Sequence, residues 1–200
     1  ERLAACLASL AGVADEVVVY DTGSTDRTVQ IAREAGARVI EGYWDDDFAA
    51  ARNRALQHAS GDWVFSVDAD EVFEGDVRAF RAAVDATTSP GMPVAIVSVE
   101  WEGAREGASS VVPRLFRRTG HRWYQALHEQ VVQADGRPTS WAAAPPPGRL
   151  RHFGYTKVSI AERGKAERNV TVSHAELLRT APETPPRWSA ASAYGRSLLL

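Results

Sequence analysis

Three carboxylates stand at the end of an apolar run in the stretch FSVDADEVF, residues 65–73. Asp68 and Asp70 flank one small residue, so both side chains can face the same side of an extended or turning backbone. Two carboxylates a few ångströms apart repel each other unless a cation lies between them. Oxygen ligands of this kind suit Mg²⁺ or Mn²⁺. The alternative is that Asp70 and Glu71 cap a following helix.

Acidic residues also follow two earlier apolar segments. The segment EVVVYD ends at Asp21 and continues as TGSTD, and the segment ARVIEG leads into YWDDD. In open α/β sheets, ligands bind beyond the carboxyl ends of the parallel strands. We therefore expect the acids at three successive strand ends to converge on one crevice, with Asp68, Ala69 and Asp70 at the third.

A predicted alternation of strands and helices positions these acids. The predicted strands are 16–21, 37–42, 62–68 and 93–101, and the predicted helices between them are 26–36, 45–61 and 75–86. Short strand–helix connections indicate an α/β fold with a mostly parallel sheet flanked by helices. After about residue 95, strands follow one another without helices, which predicts a mixed or antiparallel second half. Residues 158–179 predict a helical C-terminus.

Composition excludes several classes of function. The 200 residues carry a formal net charge of −3, so no basic excess would attract nucleic acid. The single cysteine, Cys6, forms neither an intrachain disulfide nor a cysteine-based zinc site, and its helical spacing predicts a buried thiol. No run approaches the ~20 apolar residues of a membrane span, although peripheral membrane contact stays open. Without a signal peptide, the expected compartment is cytoplasmic.

Residues 16–73 resemble the nucleotide-binding half of the family 2 glycosyltransferases. The resemblance rests on motifs in a fixed order: D-x-G-S-x-D after a valine-rich strand, A-R-N within a helix, G-D-W before a strand and D-x-D at its end. Residues 113–132, PRLFRRTGHRWYQALHEQVV, resemble the acceptor-side segment of one subgroup, and RHFGY at 151–155 continues the match. The resemblance implies the GT-A fold, which is Rossmann-like.

The activity implied by the resemblance is inverting transfer of a sugar from a nucleoside-diphosphate donor, with UDP expected, to an acceptor hydroxyl. A Mg²⁺ or Mn²⁺ cofactor is implied as well. The acceptor stays open among saccharides, lipid-linked molecules, peptides and small molecules. Two alternatives remain: a non-catalytic nucleotide- or sugar-binding module or inactive fragment, and a nucleotidyltransferase. The second normally has a Gly-rich loop with a basic residue, which this sequence does not show.

The resemblance also implies a domain organisation. Residues 1–157 would form the catalytic domain, with a nucleotide-binding half at 1–93 and an acceptor half at 94–157. Residues 158–200 would be C-terminal helices at the start of a helical repeat region. Family members usually begin with a nucleotide-contacting strand before the first helix. Because this sequence opens inside that helix, we expect the strand to be missing and nucleotide binding to be weak.

On the donor side, the resemblance assigns roles to five residues. Asp21 would accept hydrogen bonds from the base or ribose, or else only form a turn. Gly23 and Ser24 would shape the loop that follows. Asp47 would contact the base or cap a helix. Arg52 would contact the nucleotide or pair with nearby acids and hold them in place.

For the metal, Asp70 would be the direct ligand. Asp68 would bind the ribose or the water shell of the metal, next to Ala69. His128 would be a third ligand of the metal or the diphosphate, and the alternative for His128 is a buried core histidine. His152, Tyr155, Arg163 and Lys165 are candidates to close over the diphosphate, with a solvated helix face as the alternative.

An inverting transfer needs a general base. Glu129 is favoured and Glu71 is the second choice, with Glu100 and His128 also considered. Glu129 follows His128 on a predicted short strand, so both can serve the site only if the backbone turns there. Asn53 is expected to be structural. The aromatic residues Trp101, Trp123 and Tyr124 would form either a sugar platform or part of the core.

Overall fold

A computed structural model describes residues 2–99, 106–153 and 165–179. Its helices are α1 (Arg2–Ser9), α2 (Thr28–Glu34), α3 (Phe48–Leu56), α4 (Val77–Ala86) and α5 (Lys165–Arg179). Its strands are β1 (Val18–Asp21), β2 (Arg38–Glu41), β3 (Trp63–Phe65), β4 (Glu71–Glu74), β5 (Gly91–Val99), β6 (Glu106–Arg117), β7 (His121–Tyr124), β8 (Gln130–Gln133) and β9 (Arg149–His152). This mixture of helices and strands confirms the predicted α/β class.

Acidic caps explain where two of the helices begin. The Asp47 Oδ1 atom accepts a hydrogen bond from the backbone N–H of Ala50 at 2.8 Å, and Asp76 Oδ1 accepts one from Ala79 at 2.8 Å. Each carboxylate satisfies an N–H group that has no partner within the first turn of its helix. The Asp47 cap therefore fixes the start of α3, which carries Arg52.

The strands form three sheets. The largest has five strands in the order β3-β6-β5-β9-β4, in which β5 and β9 are parallel and the other neighbours are antiparallel. β1 and β2 form a parallel pair, and β7 and β8 form an antiparallel pair. The antiparallel second half is thus present as predicted. Parallel pairing among the described strands occurs only between β1 and β2 and between β5 and β9.

A gap lined by apolar side chains separates β1 from β3. A cavity of about 300 Å³ lies there, with Val18 and Val19 on one side and Phe65 and Val67 on the other. A second cavity of about 410 Å³ shares part of this lining. In the described part of the chain, β1 pairs only with β2 and β3 pairs only with β6. The parallel sheet predicted for the first three strands is therefore interrupted at this gap.

The main core lies against the five-stranded sheet. It contains Phe73 and Phe80, whose ring centroids are 5.0 Å apart, together with the buried residues Val94, Leu115 and Leu150. Burial of these apolar groups is the principal force that holds the sheet and helices together. Cys6 joins this core at 4% exposure, which confirms the predicted buried thiol. Its burial, with smaller contributions from nearby carboxylates, raises the pKa of the thiol to about 12.

Helix α5 falls within the helix predicted over 158–179 and packs on the connection between β7 and β8. The residues in contact are Val172 from α5, Ala126 and Leu127 from the connection, Phe48 from the start of α3, and Trp44 from the segment that precedes α3. None of the described helices combines the length and the apolar composition needed to cross a membrane. Residues 180–200 lie outside the described part of the chain, and the domain division at residue 157 stays a prediction.

Candidate active site

Asp68 follows β3, and two arginines hold its carboxylate. Arg52 Nη2 donates to Asp68 Oδ1 at 2.8 Å, and Arg114 Nη2 donates to Asp68 Oδ2 at 2.8 Å. Burial by itself would raise the pKa of Asp68, but the positive charges of Arg114 and Arg52 outweigh it and hold the pKa well below its usual range. Asp68 is therefore ionised at neutral pH, and protein groups already balance its charge.

The two arginines reach Asp68 from different elements. Arg52 lies on α3 and also donates from Nη1 to Ser66 Oγ at 2.8 Å. Arg114 lies on β6, and its carbonyl accepts the Ser66 N–H at 2.8 Å because β6 pairs with β3. Arg114 is not among the site residues predicted from the sequence. The available signal is one basic residue inside the otherwise apolar run VVPRLF.

Glu71 belongs to the same network of charged side chains as Asp68, Arg52 and Arg114. The expectation that Asp70 and Glu71 cap a helix is wrong, because Glu71 begins β4 and Asp76 caps the next helix. Glu71 is fully buried, and its Oε2 accepts the backbone N–H of Asp68 at 2.7 Å. Its Oε1 accepts from Arg114 Nη2 at 3.0 Å. Glu71 thus orders the turn after Asp68, and its role as a base stays a prediction that full burial disfavours.

His152 lies opposite Glu71 in the register of β4 and β9. Its Nδ1 is 3.3 Å from Glu71 Oε1, and its Nε2 is 3.9 Å from Asp70 Oδ2. Among the described residues, one group of three or more side chains could hold a metal ion: Asp68, Glu71 and His152, with ligand atoms within 4.8 Å of one another. The solvated helix face considered for His152 is wrong, because the residue lies in a strand with its side chain 12% exposed.

Glu129 comes to the network through Arg52. Its Oε1 accepts from Arg52 Nε at 2.7 Å. His128 and Glu129 precede β8 rather than lie on it, and the φ angle of 57° at His128 is a backbone turn of the kind that both residues would need in order to serve one site. His128 is exposed, so the alternative of a core histidine is wrong. It is not a member of the metal-binding group above, and its role as a ligand stays a prediction.

Asp21 ends β1 and is organised by its own loop. Its Oδ2 accepts the backbone N–H groups of Gly23 at 3.1 Å and Ser24 at 2.9 Å. Burial raises the pKa of Asp21, but the hydrogen bonds from Ser24 and Gly23 outweigh this effect and lower the pKa below its ordinary value. Gly23 has a φ angle of 112°, which favours glycine. The turn is therefore confirmed, and contact with a nucleotide stays a prediction.

Asp47, which caps α3, and Asn53, which lies on α3, also have structural partners. The capping alternative for Asp47 is confirmed by its bond to Ala50, and contact with a base stays a prediction. Asn53 Nδ2 donates to the carbonyl of Trp123 at 2.9 Å, and Asn53 Oδ1 accepts the Trp123 N–H at 2.9 Å. Trp123 is 5% exposed, and the Arg52 guanidinium lies 5.0 Å from its ring centroid. The ring supports Arg52 from the core.

Comparisons with known proteins agree with the motifs. A sequence model described as Glycosyl transferase family 2 matches residues 1–130. The chain belongs to glycosyl transferase family 2. This membership confirms the resemblance drawn from the motifs, and it makes the chain a glycosyltransferase domain.

Relatives of this family 2 domain are longer proteins. A TPR repeat-containing protein of Synechococcus elongatus is 38% identical over 178 residues, which are 84% of this chain and 43% of that protein. The SPbeta prophage-derived glycosyltransferase SunS of Bacillus subtilis is 27% identical over 192 residues, which are 94% of this chain and 44% of that protein. The chain thus spans less than half the length of these relatives.

A solved structure supports the fold of the family 2 domain. The crystal structure of S. aureus TarS 1-349 superposes with a TM-score of 0.50 at 15% identity, over 99% of this chain and 67% of that chain. This likeness confirms the GT-A fold.

Eight of the residues selected from the sequence fall into two groups in this family 2 domain, and Asp47, Ala69 and His128 belong to neither. The first is linked by the contacts above and is extended by two residues that sequence analysis left out or assigned elsewhere: Arg52, Asp68, Asp70, Glu71 and Glu129, with Arg114 and His152 added. The second is the loop of Asp21, Gly23 and Ser24. Candidates outside the described residues or side chains are Glu100, Trp101, Tyr155, Arg163 and Lys165.

Proposed function

We propose that this domain transfers a sugar from a nucleoside-diphosphate sugar, with UDP as the expected nucleotide, to an acceptor hydroxyl with inversion. The observation that carries the proposal is the position of Arg52, which contacts both Asp68 and Glu129. Asp68 follows a strand end where a donor is expected, and Glu129 is the candidate base. A transferase needs these two functions side by side, because its reactants must be held in attacking geometry.

Glu129 is the proposed general base. It would take the proton from the acceptor hydroxyl while the hydroxyl oxygen attacks the anomeric carbon. The bond between that carbon and the diphosphate breaks, and the nucleoside diphosphate leaves with the electron pair, so a single displacement inverts the configuration. The Glu129 side chain is 17% exposed and Glu71 has no exposed surface. Of these two candidate bases, Glu129 is therefore the one that an acceptor can reach.

The donor is proposed to lie across the gap between β1 and β3. Asp21 stands at the end of β1 and Asp68 follows β3, so a nucleotide across this gap would meet both acids. Hydrogen bonds hold the loop of Gly23 and Ser24 against Asp21, which presents a preformed surface to the base or ribose. Ala69 is exposed beside Asp68, where a bulky side chain would obstruct the sugar.

The side chains near Asp70 fit a divalent metal ion. In an octahedral site, ligands about 2.1 Å from the ion are about 3.0 Å apart when adjacent and about 4.2 Å apart when opposite. The 3.9 Å between Asp70 Oδ2 and His152 Nε2 exceeds a hydrogen bond, so the two atoms would have to move closer together to bind one ion as adjacent ligands. Because Arg114 contacts Asp68 and Glu71, we assign the metal to Asp70 and His152, with His128 retained as a further ligand. A Mn²⁺ or Mg²⁺ ion there would neutralise charge on the departing diphosphate.

Titration calorimetry with UDP tests the donor site and the metal together. Wild-type protein should bind UDP more tightly with Mn²⁺ than without it, by about tenfold or more, since an ion held by Asp70 and His152 would attract the negatively charged diphosphate. Asp70→Ala and His152→Ala should lose this dependence, and His128→Ala should weaken it. His174→Ala, at an exposed position of α5, is the matched histidine control and should keep it. Equal UDP affinity with and without Mn²⁺ in the wild type would contradict the metal assignment. One TarS structure is a complex with UDP-GlcNAc, which makes this sugar nucleotide the first donor to try.

Turnover of two glutamine variants tests the base. Glu129→Gln should lower kcat by about 10² to 10⁴, the usual contribution of a general base, with the donor KM nearly unchanged. Glu71→Gln should act mainly on stability, because its carboxylate contacts Arg114 and the backbone of Asp68. Near-normal kcat in Glu129→Gln together with an inactive but folded Glu71→Gln would reverse the assignment.

A further inference from the structure

The connection between β7 and β8 is held from two sides at Ala126. The carbonyl of Ala126 accepts the backbone N–H of Phe48 at 2.9 Å, where α3 begins. The N–H of Ala126 donates to Glu176 Oε1 on α5 at 3.1 Å. Both polar backbone groups of this residue are thus bound by elements that are distant from it in sequence.

Glu176 is an unusual residue for the place it occupies. It is 7% exposed, and its helix neighbours Val172 and Ser173 have no exposed surface. A buried carboxylate is unfavourable unless hydrogen bonds compensate it, and a charged acceptor makes a stronger hydrogen bond with a backbone N–H than a neutral one. The hydrogen bond from Ala126 is therefore a specific interaction between α5 and the connection, in addition to apolar packing.

The backbone of the connection needs such support. Gln125 has a φ angle of 74° and His128 has one of 57°, and neither residue is a glycine. Each left-handed residue of this kind costs about 1 kcal/mol or more and persists where the surroundings determine it. Ala126 and Leu127, between these two residues, are buried against α5 and the start of α3. Glu129 follows directly and meets Arg52.

We propose that Glu176 is a positioning residue for Glu129, acting through the N–H of Ala126. Helix α5 is then part of the unit that performs the reaction, because it fixes the loop from which the base reaches the acceptor. The inference rests on the proposed function, in which Glu129 is the base. It adds a residue that touches neither donor nor acceptor.

Steady-state kinetics of three variants test this role. Glu176→Met keeps the side-chain volume but removes the acceptor, and we expect kcat to fall about 10- to 100-fold, as for a base displaced by about 1 Å. The donor KM should change less than twofold, because none of the contacts described above joins α5 to the residues assigned to the donor. Glu176→Gln should restore kcat to within about threefold, since its amide oxygen can accept the same N–H. His174→Ala, at an exposed position of α5, should match the wild type.

A double-mutant cycle separates positioning from general stabilisation. If Glu176 acts through Glu129, then adding Glu176→Met to Glu129→Gln should cause little further loss of kcat. Equal losses in both backgrounds, or an unchanged kcat in folded Glu176→Met, would overturn the inference while leaving the base assignment intact. Near-normal kcat in Glu129→Gln would overturn the base assignment, and this inference with it.

Hydrogen exchange provides a measurement that does not depend on turnover. In Glu176→Met, the amide of Ala126 should exchange faster while the amides of β5 stay protected. The same readout applies to Glu176→Ala, should the methionine variant fold poorly. Unchanged exchange at Ala126 in a folded variant would show that Glu176 does not hold the connection.

Discussion

Replacing Arg114 with methionine would remove a guanidinium that contacts two carboxylates at once. Arg114 Nη2 lies 2.8 Å from Asp68 Oδ2 and 3.0 Å from Glu71 Oε1. The Arg114 side chain is 14% exposed and that of Glu71 is fully buried. Methionine fills similar space but carries no charge, so Glu71 would remain in the core without its cation.

The expected loss of stability follows from these contacts. At an effective dielectric constant of about 20, unit charges at these distances attract each other by about 5 to 6 kcal/mol, and desolvation of the arginine offsets much of that. Removing one partner of a buried pair typically costs about 3–5 kcal/mol. Asp68 keeps Arg52, and Glu71 keeps the N–H of Asp68. We therefore expect the lower end, about 3 kcal/mol, or roughly 6–12 °C in Tm for a chain of this length.

Urea unfolding followed by tryptophan fluorescence measures this loss, with Arg78→Met on the exposed face of α4 as the control. The Arg78 variant should stay within about 0.5 kcal/mol of the wild type. Arg114 also lowers the pKa of Asp68 in the folded state, and this shift stabilises the fold. The stabilisation is fully present above the unfolded pKa of 3.8 and is lost as the pH falls through the lower pKa that Asp68 has in the folded state. The difference between wild type and Arg114→Met should therefore shrink in acid. A difference below about 1 kcal/mol at pH 7 would refute the reasoning.

Three more predictions concern single side chains. Asp47→Ala should cost about 1 kcal/mol in urea unfolding because α3 loses its cap, and Asp47→Ser should recover most of it; equal stability of both variants would contradict the capping role. Cys6 should resist iodoacetamide at pH 8.5 in native protein and react in urea, because its thiol is buried with a pKa of about 12; rapid labelling of the native protein would contradict this. Asp21→Asn should lower the free energy of unfolding at pH 7 and make that free energy fall less steeply in acid. The pKa of Asp21 is lower in the folded state than in the unfolded state, so its ionised carboxylate stabilises the fold above about pH 3.8, and this stabilisation is lost as the pH falls through the folded pKa. An unchanged pH profile of the unfolding free energy would contradict this role of Asp21.

The features that sequence analysis placed correctly depend on neighbours along the chain. Asp47 caps a helix three residues before the N–H it accepts, and Asp21 accepts from residues two and three positions later. Turn and cap chemistry of this kind is visible in a short window of sequence. The ordered motifs added the family, and hence the fold, which no single motif would have given.

The features that sequence analysis missed depend on strand pairing between distant segments. Arg114 meets Asp68 across 46 positions, and His152 meets Glu71 across 81. β4 and β9 have four residues each, too few for an alternating pattern to predict which strands pair. Glu71 was misplaced for the same reason: an acid before a short apolar stretch is as typical of a helix start as of a strand whose partner lies far along the chain.

The gap between β1 and β3 has a consequence for how the molecule opens. β1 and β2 pair with each other and, within the residues described, with no strand of the five-stranded sheet. Among the described residues, the unit formed by β1, α2 and β2 is held to the rest by side-chain contacts rather than by a sheet ladder, for example by the bond from Arg38 Nη1 to the carbonyl of His58 at 3.0 Å. In this 200-residue chain, the amides of the unit should therefore lose protection before those of β5 and β6. A ligand that touches both Asp21 and Asp68 would join the two units, so donor binding would make them unfold as one cooperative body.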